Sequence, residues 1–212
     1  MCRHYAVPFI LDAAQSAGSL PVNMDQLGAD FIAMPGHKGL LGPQGTGLLL
    51  CGREPEPLLM GGTGSESVAQ TMPAYLPDRL EAGTLNVPGI AGLAAGLQYV
   101  QDRGIDSIFH REHTAAMTAV KDLQKMGVRV FTGEHQAATV SFLPQMDCEQ
   151  AADFLGRQGI AVRSGLHCAP LAHESAGTLE RGTVRISFGH DACPAQNLVL
   201  RRIVRENMLG RK

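Results

Sequence analysis

In the segment MPGHKGLLGPQGTG, residues 34–47, Lys38 stands between His37 and Gly39, with Gly36 just before the pair and more glycine behind. Glycine lets a backbone bend sharply or approach another segment closely, so a lysine on such a turn can be held in one place instead of wandering in solvent. Asp12 closes one apolar run, PFILD, and Lys38 follows another, ADFIAMP. In an α/β sheet both would emerge at one carboxyl edge, where such sheets bind ligands. An amine and a carboxylate so placed suit pyridoxal phosphate, which needs a lysine for its Schiff base and an acidic partner to keep the pyridine nitrogen protonated. Gln15, on the turn after Asp12, can donate to the ring hydroxyl oxygen. Taken singly, each feature has a plainer reading. A lysine beside glycine is most often solvated, an aspartate at a strand end most often caps a turn, and GPQGTG is neither a Walker loop nor a dinucleotide fingerprint. The combination carries the chemistry.

A second group lies in AVRSGLHCAPLAH, residues 161–173, where a strand runs into a short loop hinged at Gly165. Cys168 sits near its tip, next to His167 and close to Arg163. A thiol near cationic groups ionises more readily than a free cysteine, whose pKa is about 8.5. The plainer reading is a small buried hydrophobe, the commonest fate of a free cysteine. Cys51 after a strand and Cys148 at a helix start read as packing residues. Five cysteines, an odd number without a C-x-x-C pair, argue against a disulfide framework or a zinc knuckle. His110, His113, His135, His173 and His190 show no metal-ligand spacing.

These residues need elements to position them. The first part of the chain alternates short apolar runs (PFILDAAQ, ADFIAMPG, GTGLLLCG) with turn-rich segments, as expected of strands buried on both faces of an α/β sheet. From Arg53 to Pro88 periodicity fails and a long irregular loop is expected, the kind that tends to be functional. Two helices follow, ending at Gly104 and Gly127, the second with Asp106 as its expected cap. Then come strands in VRVFTG and AATVSFLP, a capped helix in DCEQAADFLGRQG, strands in IAVRSG and GTVRISFG, and a helix from about Pro194 to Met208. This is an α+β pattern, and the expected domains are 1–95 and 96–212, with the boundary inside the helix that follows Pro88. The first strands would leave open sheet edges that another segment must cover.

With 212 residues, 44% hydrophobic and 18% charged, the chain is long enough for a sizeable core. A net charge of -2 supplies no footprint for nucleic acid, and no apolar run approaches the roughly 18 residues of a membrane helix. The start of the chain lacks the pattern of a signal peptide, so a cytoplasmic location is expected. Small-molecule chemistry is the class left standing.

Four segments, LDAAQSAG, ADFIAMPGHKGLLGPQGTGLLL, EAGTLNVPGIAGL and VRSGLHCAP, resemble motifs of the class V aminotransferase superfamily, in particular its cysteine desulfurase and selenocysteine lyase branch. They stand in the family's order and span nearly the whole chain. The resemblance implies a fold-type I enzyme: part of a large α/β domain that binds pyridoxal 5'-phosphate, followed by a small α+β C-terminal domain. It implies that Lys38 carries the cofactor, Asp12 pairs with the pyridinium and Gln15 contacts the ring oxygen. His37 corresponds to a phosphate-contacting histidine, and Thr84 to a residue reaching the phosphate of a partner subunit's cofactor, which implies a homodimer. Cys168 would take sulfur from L-cysteine as a persulfide, leaving alanine and passing the sulfur to an acceptor protein. Arg185, in GTVRISFGH, corresponds to the arginine that clamps the substrate carboxylate, with Arg163 assisting; without the motif, either would read as a salt-bridge or solvated strand residue.

The chain also departs from the pattern. Pro35 stands where family members commonly have serine, removing one phosphate hydrogen bond. The family's phosphate-cradling helix N-terminus and ring-stacking aromatic lie in an N-terminal half that has no counterpart here, so the chain resembles a C-terminal half. Two other readings therefore stay open. One is a different class V enzyme, a transaminase or lyase, in which Cys168 has no chemical role. The other is a catalytically silent fragment or interaction module.

Overall fold

The computed structural model describes residues 1–192 together with 197, 200–202 and 204. The chain divides into two units, Met1–Asp106 and Ser107–Lys212. The sequence placed the division between 95 and 96, but α2 runs unbroken through Val87–Arg103, with Leu93 buried in the first unit's core and Leu97 packed against it. The division falls just past Gly104, which ends α2 and whose φ of 77° suits glycine.

In the first unit, β1 (Ile10–Asp12), β2 (Phe31–Pro35) and β3 (Gly47–Cys51) form a sheet in the order β1-β2-β3. β1 pairs with β2 in parallel, Asp12 opposite Ala33, and β2 pairs with β3 antiparallel, Pro35 opposite Gly47. A short helix, α1 (Met24–Leu27), makes the crossover; Asn23 caps it and Gly28 ends it in the left-handed region. Burial on both faces does not hold. Side chains alternate along a strand, and the face carrying Leu11, Ile32, Met34 and Leu48 packs in the core while Ile10 is 65% exposed and Leu49 49%. Apolar runs alone could not separate a strand covered on both sides from one covered on a single side. Between β3 and α2 the chain is irregular, as expected, apart from a single 3-10 turn at Asp78–Leu80.

The second unit holds α3 (Ile105–Lys125), β4 (Arg129–Phe131), β5 (Thr139–Leu143), α4 (Cys148–Arg157), β6 (Arg163–Gly165), α5 (Pro170–Ala176) and β7 (Thr183–Ser187). Its sheet is antiparallel, in the order β4-β5-β7-β6. α3 buries Ile108, Ala115, Ala116, Ala119, Val120 and Leu123 at helical spacing. Of these, Ala116, Ala119, Val120 and Leu123 pack in one core with Val140, Phe142, Val184 and Ile186 from the inner face of the sheet, and with Ala151 and Leu155 of α4. Asp147 caps α4 by accepting from Glu149 N and Gln150 N, as its position before an amphipathic run requires. Asp106 is not a cap: α3 begins at Ile105, which puts Asp106 in the first turn, where its charge still favours the helix N-terminus. α5 had no expectation in the sequence. The expected final helix lies largely outside the described residues, as does Cys193; Asn197, which is described, donates from Nδ2 to Ala115 O at 2.8 Å inside the core.

Candidate active site residues

Lys38 occupies a turn closed by backbone hydrogen bonds. Gly36 N donates to Thr46 O at 2.8 Å, Gly42 N to Gly36 O at 2.7 Å and Leu41 N to Lys38 O at 2.9 Å. The glycines answer for close packing. A Cβ on Gly39 would collide with Ala17 O, and one on Gly18 with the Gly39 carbonyl, so the turn after β1 and the turn after β2 touch backbone to backbone. On its other side the lysine turn meets α2: a Cβ on Gly42 would lie 2.7 Å from Leu93 Cδ1, and one on Gly96 would collide with Leu40 O. Held from two sides, the backbone of Lys38 is fixed while its side chain is exposed and, among the described residues, has no hydrogen bond or ion pair.

Asp12 ends β1 beside this turn. Its Oδ1 accepts from Ala14 N at 2.8 Å, so the turn-capping reading is correct for one oxygen. The other oxygen has no partner among the described residues, and the side chain is exposed. Hydrogen bonds from Ala17 N to Ala13 O and from Leu20 N to Ser16 O wind residues 13–20 back over the same edge. That turn carries Gln15, which is exposed, as is His37. A free amine, a carboxylate with one uncommitted oxygen, an amide and an imidazole thus share the carboxyl ends of two adjacent parallel strands. This donor set fits pyridoxal phosphate. Thr84 is also exposed but lies in the loop between β3 and α2, away from these two turns in sequence.

In the second unit Arg163 and Arg185 are directly opposed on β6 and β7. Opposed residues share one face, so both arginines rise from the same side of the sheet, and among the described residues neither has a carboxylate partner. Arg185 Nε is buried and without a hydrogen bond. A buried donor left unpaired is costly, and a cationic pair of this kind calls for an anion. Gly165 closes β6 with φ 105°, and a Cβ on Gly182 would press on its backbone at 2.8 Å. The chain then enters the Cys168 turn, where His167 (φ 53°) and Cys168 (φ 60°) are both left-handed. Cys168 is exposed.

His167 was missed as more than a neighbouring charge. Its Nε2 lies 3.1 Å from Thr183 O and 3.2 Å from Thr183 Oγ1, its ring centroid is 5.7 Å from that of His173, and its Nδ1 is buried without a partner. Burial, outweighing the hydrogen bond to Thr183 and joined by the charges of Arg185, His173 and Arg163, pushes its pKa below 6.5. His167 is therefore neutral at neutral pH, and the positive charge expected of it beside the thiol is absent. The alternation in GTVRISFG puts Thr183 and Arg185 on one face, but nothing in the sequence ties that face to His167. His173 is buried, its Nδ1 2.8 Å from Thr178 Oγ1.

Residues 1–196 match the aminotransferase class-V family. The chain belongs to that family. It is 37% identical over 201 residues to a probable cysteine desulfurase of Pyrococcus abyssi, covering 89% of this chain and 49% of the relative, and 39% identical over 176 residues to one of Xylella fastidiosa, covering 79% and 42%. The apo structure of a cysteine desulfurase from Thermococcus onnurineus superposes with a TM-score of 0.86 at 34% identity, over 97% of this chain and 54% of that one. A cysteine desulfurase from Escherichia coli gives 0.85 at 29% identity, over 96% and 52%. The chain thus spans about half the length of the relatives it matches. It has an α/β fold of the pyridoxal-phosphate fold-type I class, and family members use pyridoxal phosphate.

Proposed function

We propose that this class-V chain supplies the lysine and the thiol of a cysteine desulfurase, which converts L-cysteine to L-alanine with a persulfide on Cys168. In this reading Met1–Asp106 is the C-terminal portion of the cofactor-binding large domain and Ser107–Lys212 the small C-terminal domain, in place of the 1–95 and 96–212 expected from the sequence. The observation that carries it is the Lys38 turn, pinned against the Asp12 turn by the Gly18–Gly39 backbone contact. Proximity of this kind matters because a catalytic group held in place needs no ordering at the moment of reaction.

When bound, pyridoxal phosphate withdraws electron density from the Cα of an amino acid. Lys38 Nζ would hold the cofactor and move a proton at the substrate Cα. Asp12 would face the ring nitrogen through the oxygen that Ala14 N leaves uncommitted, Gln15 the ring hydroxyl oxygen and His37 the phosphate. Arg185, assisted by Arg163, would bind the substrate carboxylate with the bidentate fork suited to it. Cys168 Sγ attacks the substrate sulfur: an S–S bond forms as the C–S bond breaks, the electron pair stays on carbon, and protonation there completes alanine. An exposed Cys168 leaves the persulfide accessible to an acceptor protein.

Thr84, in an exposed loop with Leu58, Leu59, Met60 and Val68 each more than 70% exposed, would serve a second subunit's cofactor in a homodimer. We further propose a cytoplasmic location, in keeping with free cysteines.

The test is to incubate the protein with pyridoxal phosphate, reduce with borohydride and locate the adduct by peptide mass, alongside sulfide and alanine release from L-cysteine under a reductant. The expected result is an adduct on Lys38, lost in Lys38→Ala, and sulfide release lost in Cys168→Ala while the adduct persists. Turnover indifferent to Cys168→Ala would replace the proposal with a transaminase or lyase. A second reading, a chain that does not hold the cofactor by itself, is favoured by the open face and by an edge at β1 that is unpaired among the described residues; absence of any adduct at Lys38 would establish it.

A further inference from the structure

The Cys168 turn is held in a conformation that its own residues disfavour. Left-handed backbone crowds Cβ against the neighbouring carbonyl, so L-residues other than glycine visit it singly and seldom. Here two occur in succession, His167 and Cys168, just after Gly165 at φ 105°. Among the described residues the turn has one backbone hydrogen bond within it, Ala169 N to Leu166 O at 2.9 Å, which spans both residues but ties them only to the turn itself. A connection to the sheet comes from the His167 ring. Its Nε2 meets Thr183 O, and a carbonyl oxygen can only accept, so Nε2 carries the proton and Nδ1 holds a bare lone pair. That assignment agrees with Nδ1 being buried and unpartnered. A second proton on Nδ1 would have no acceptor among the described residues, and the charges acting on this ring are those of Arg185 on β7 and Arg163 on β6, with the His173 ring on α5 beside it.

We propose that His167 is the positioning residue of the Cys168 turn: its neutral imidazole, donating from Nε2 to Thr183 on β7, holds the consecutive left-handed residues and so fixes the place of the thiol, and protonation at Nδ1 releases them. The significance of that placement for sulfur transfer rests on the desulfurase reading; the structural role does not. Arg163 and Arg185 then act on the turn in two ways, as the anion-binding pair proposed above and as the like charges that keep His167 neutral.

Amide hydrogen exchange of the peptide spanning 164–169, corrected for intrinsic rates, tests this without cofactor or activity. At about pH 8 the wild type is protected, and His167→Phe, which fills the same space without a donor, loses protection by about ten-fold, the factor a hydrogen bond of ordinary net strength supplies. At about pH 5, where an imidazole in water is protonated, the wild type loses protection too. His167→Gln, an amide that can donate to Thr183 but does not titrate, stays protected at both pH values. Exchange in the β5–β7 core serves as the folding control and stays constant in all variants. Equal protection of wild type and His167→Phe at about pH 8 overturns the proposal, as does a pH step that persists in His167→Gln. Sulfide release measured on the same samples separates the two ideas: if exchange behaves as stated but no variant or wild type yields sulfide, the positioning role stands and the desulfurase reading falls.

Discussion

Gly39→Ala isolates the contact on which the lysine site depends. The added methyl would collide with Ala17 O and come within 3.3 Å of Ala17 C and 3.4 Å of Gly18 Cα, all of it backbone that cannot rotate aside. Overpacking of this kind costs about 1–3 kcal/mol. In a chain of this size that corresponds to a fall in melting temperature of about 2–12 °C. Gly18→Ala meets the Gly39 carbonyl from the other side and also forces alanine to a φ of 88°, adding about 1–2 kcal/mol of conformational cost. Gly64→Ala is the control, because nothing lies within 4 Å of its added methyl. To relieve the collision the two turns must separate, which carries Lys38 away from Asp12. Thermal melts should therefore fall in the order Gly64→Ala, Gly39→Ala, Gly18→Ala, and borohydride trapping of pyridoxal phosphate on Lys38 should weaken in the same order. A Gly39→Ala protein that melts with the wild type and traps the cofactor equally would refute the claim that this contact positions the lysine.

Two further predictions concern the second unit. Phe142 is fully buried in the core between sheet and helices, so Phe142→Ala should destabilise the protein by about 3–5 kcal/mol in a denaturant titration, and a loss under 1 kcal/mol would mean the site collapses to fill the gap. Burial raises the pKa of Cys148 above 9.0, an effect reinforced by Asp147 and partly offset by Arg181. Above pH 9.0 the unfolded chain sheds a thiol proton that the folded chain keeps, so stability falls as pH rises through and beyond that value. Cys148→Ala should remove that part of the alkaline decline in melting temperature, on top of a pH-independent loss from truncating a buried core side chain.

Much of the positioning was legible in the chain itself. A lysine after one apolar run and an aspartate closing another were enough to place both at one sheet edge, because in a parallel pair the carboxyl ends coincide. The caps were legible where a polar residue precedes an amphipathic run, as Asp147 does for α4, and the helix ends where glycine follows, as Gly104 does for α2. Those signals are local, and the backbone reads them within a turn. The coverage of the first sheet was not legible, since PFILD and GLLLC are apolar whether one face or two are buried, and burial is decided by what other segments pack there. The Asp106 cap failed by a residue or two because a helix can start wherever its first carbonyl finds a partner. Most of the chemistry beyond Lys38 and Asp12 depended on distance in space. The pairing of Arg163 with Arg185 follows from strand register, and the neutrality of His167 follows from Thr183, Arg163, Arg185 and His173 meeting one ring from separate elements. Residue types and spacing determined which groups this protein offers for chemistry. Only the folded backbone decided which of them are charged, which are held and which stand free, because burial and hydrogen bonding are set by neighbours remote in sequence.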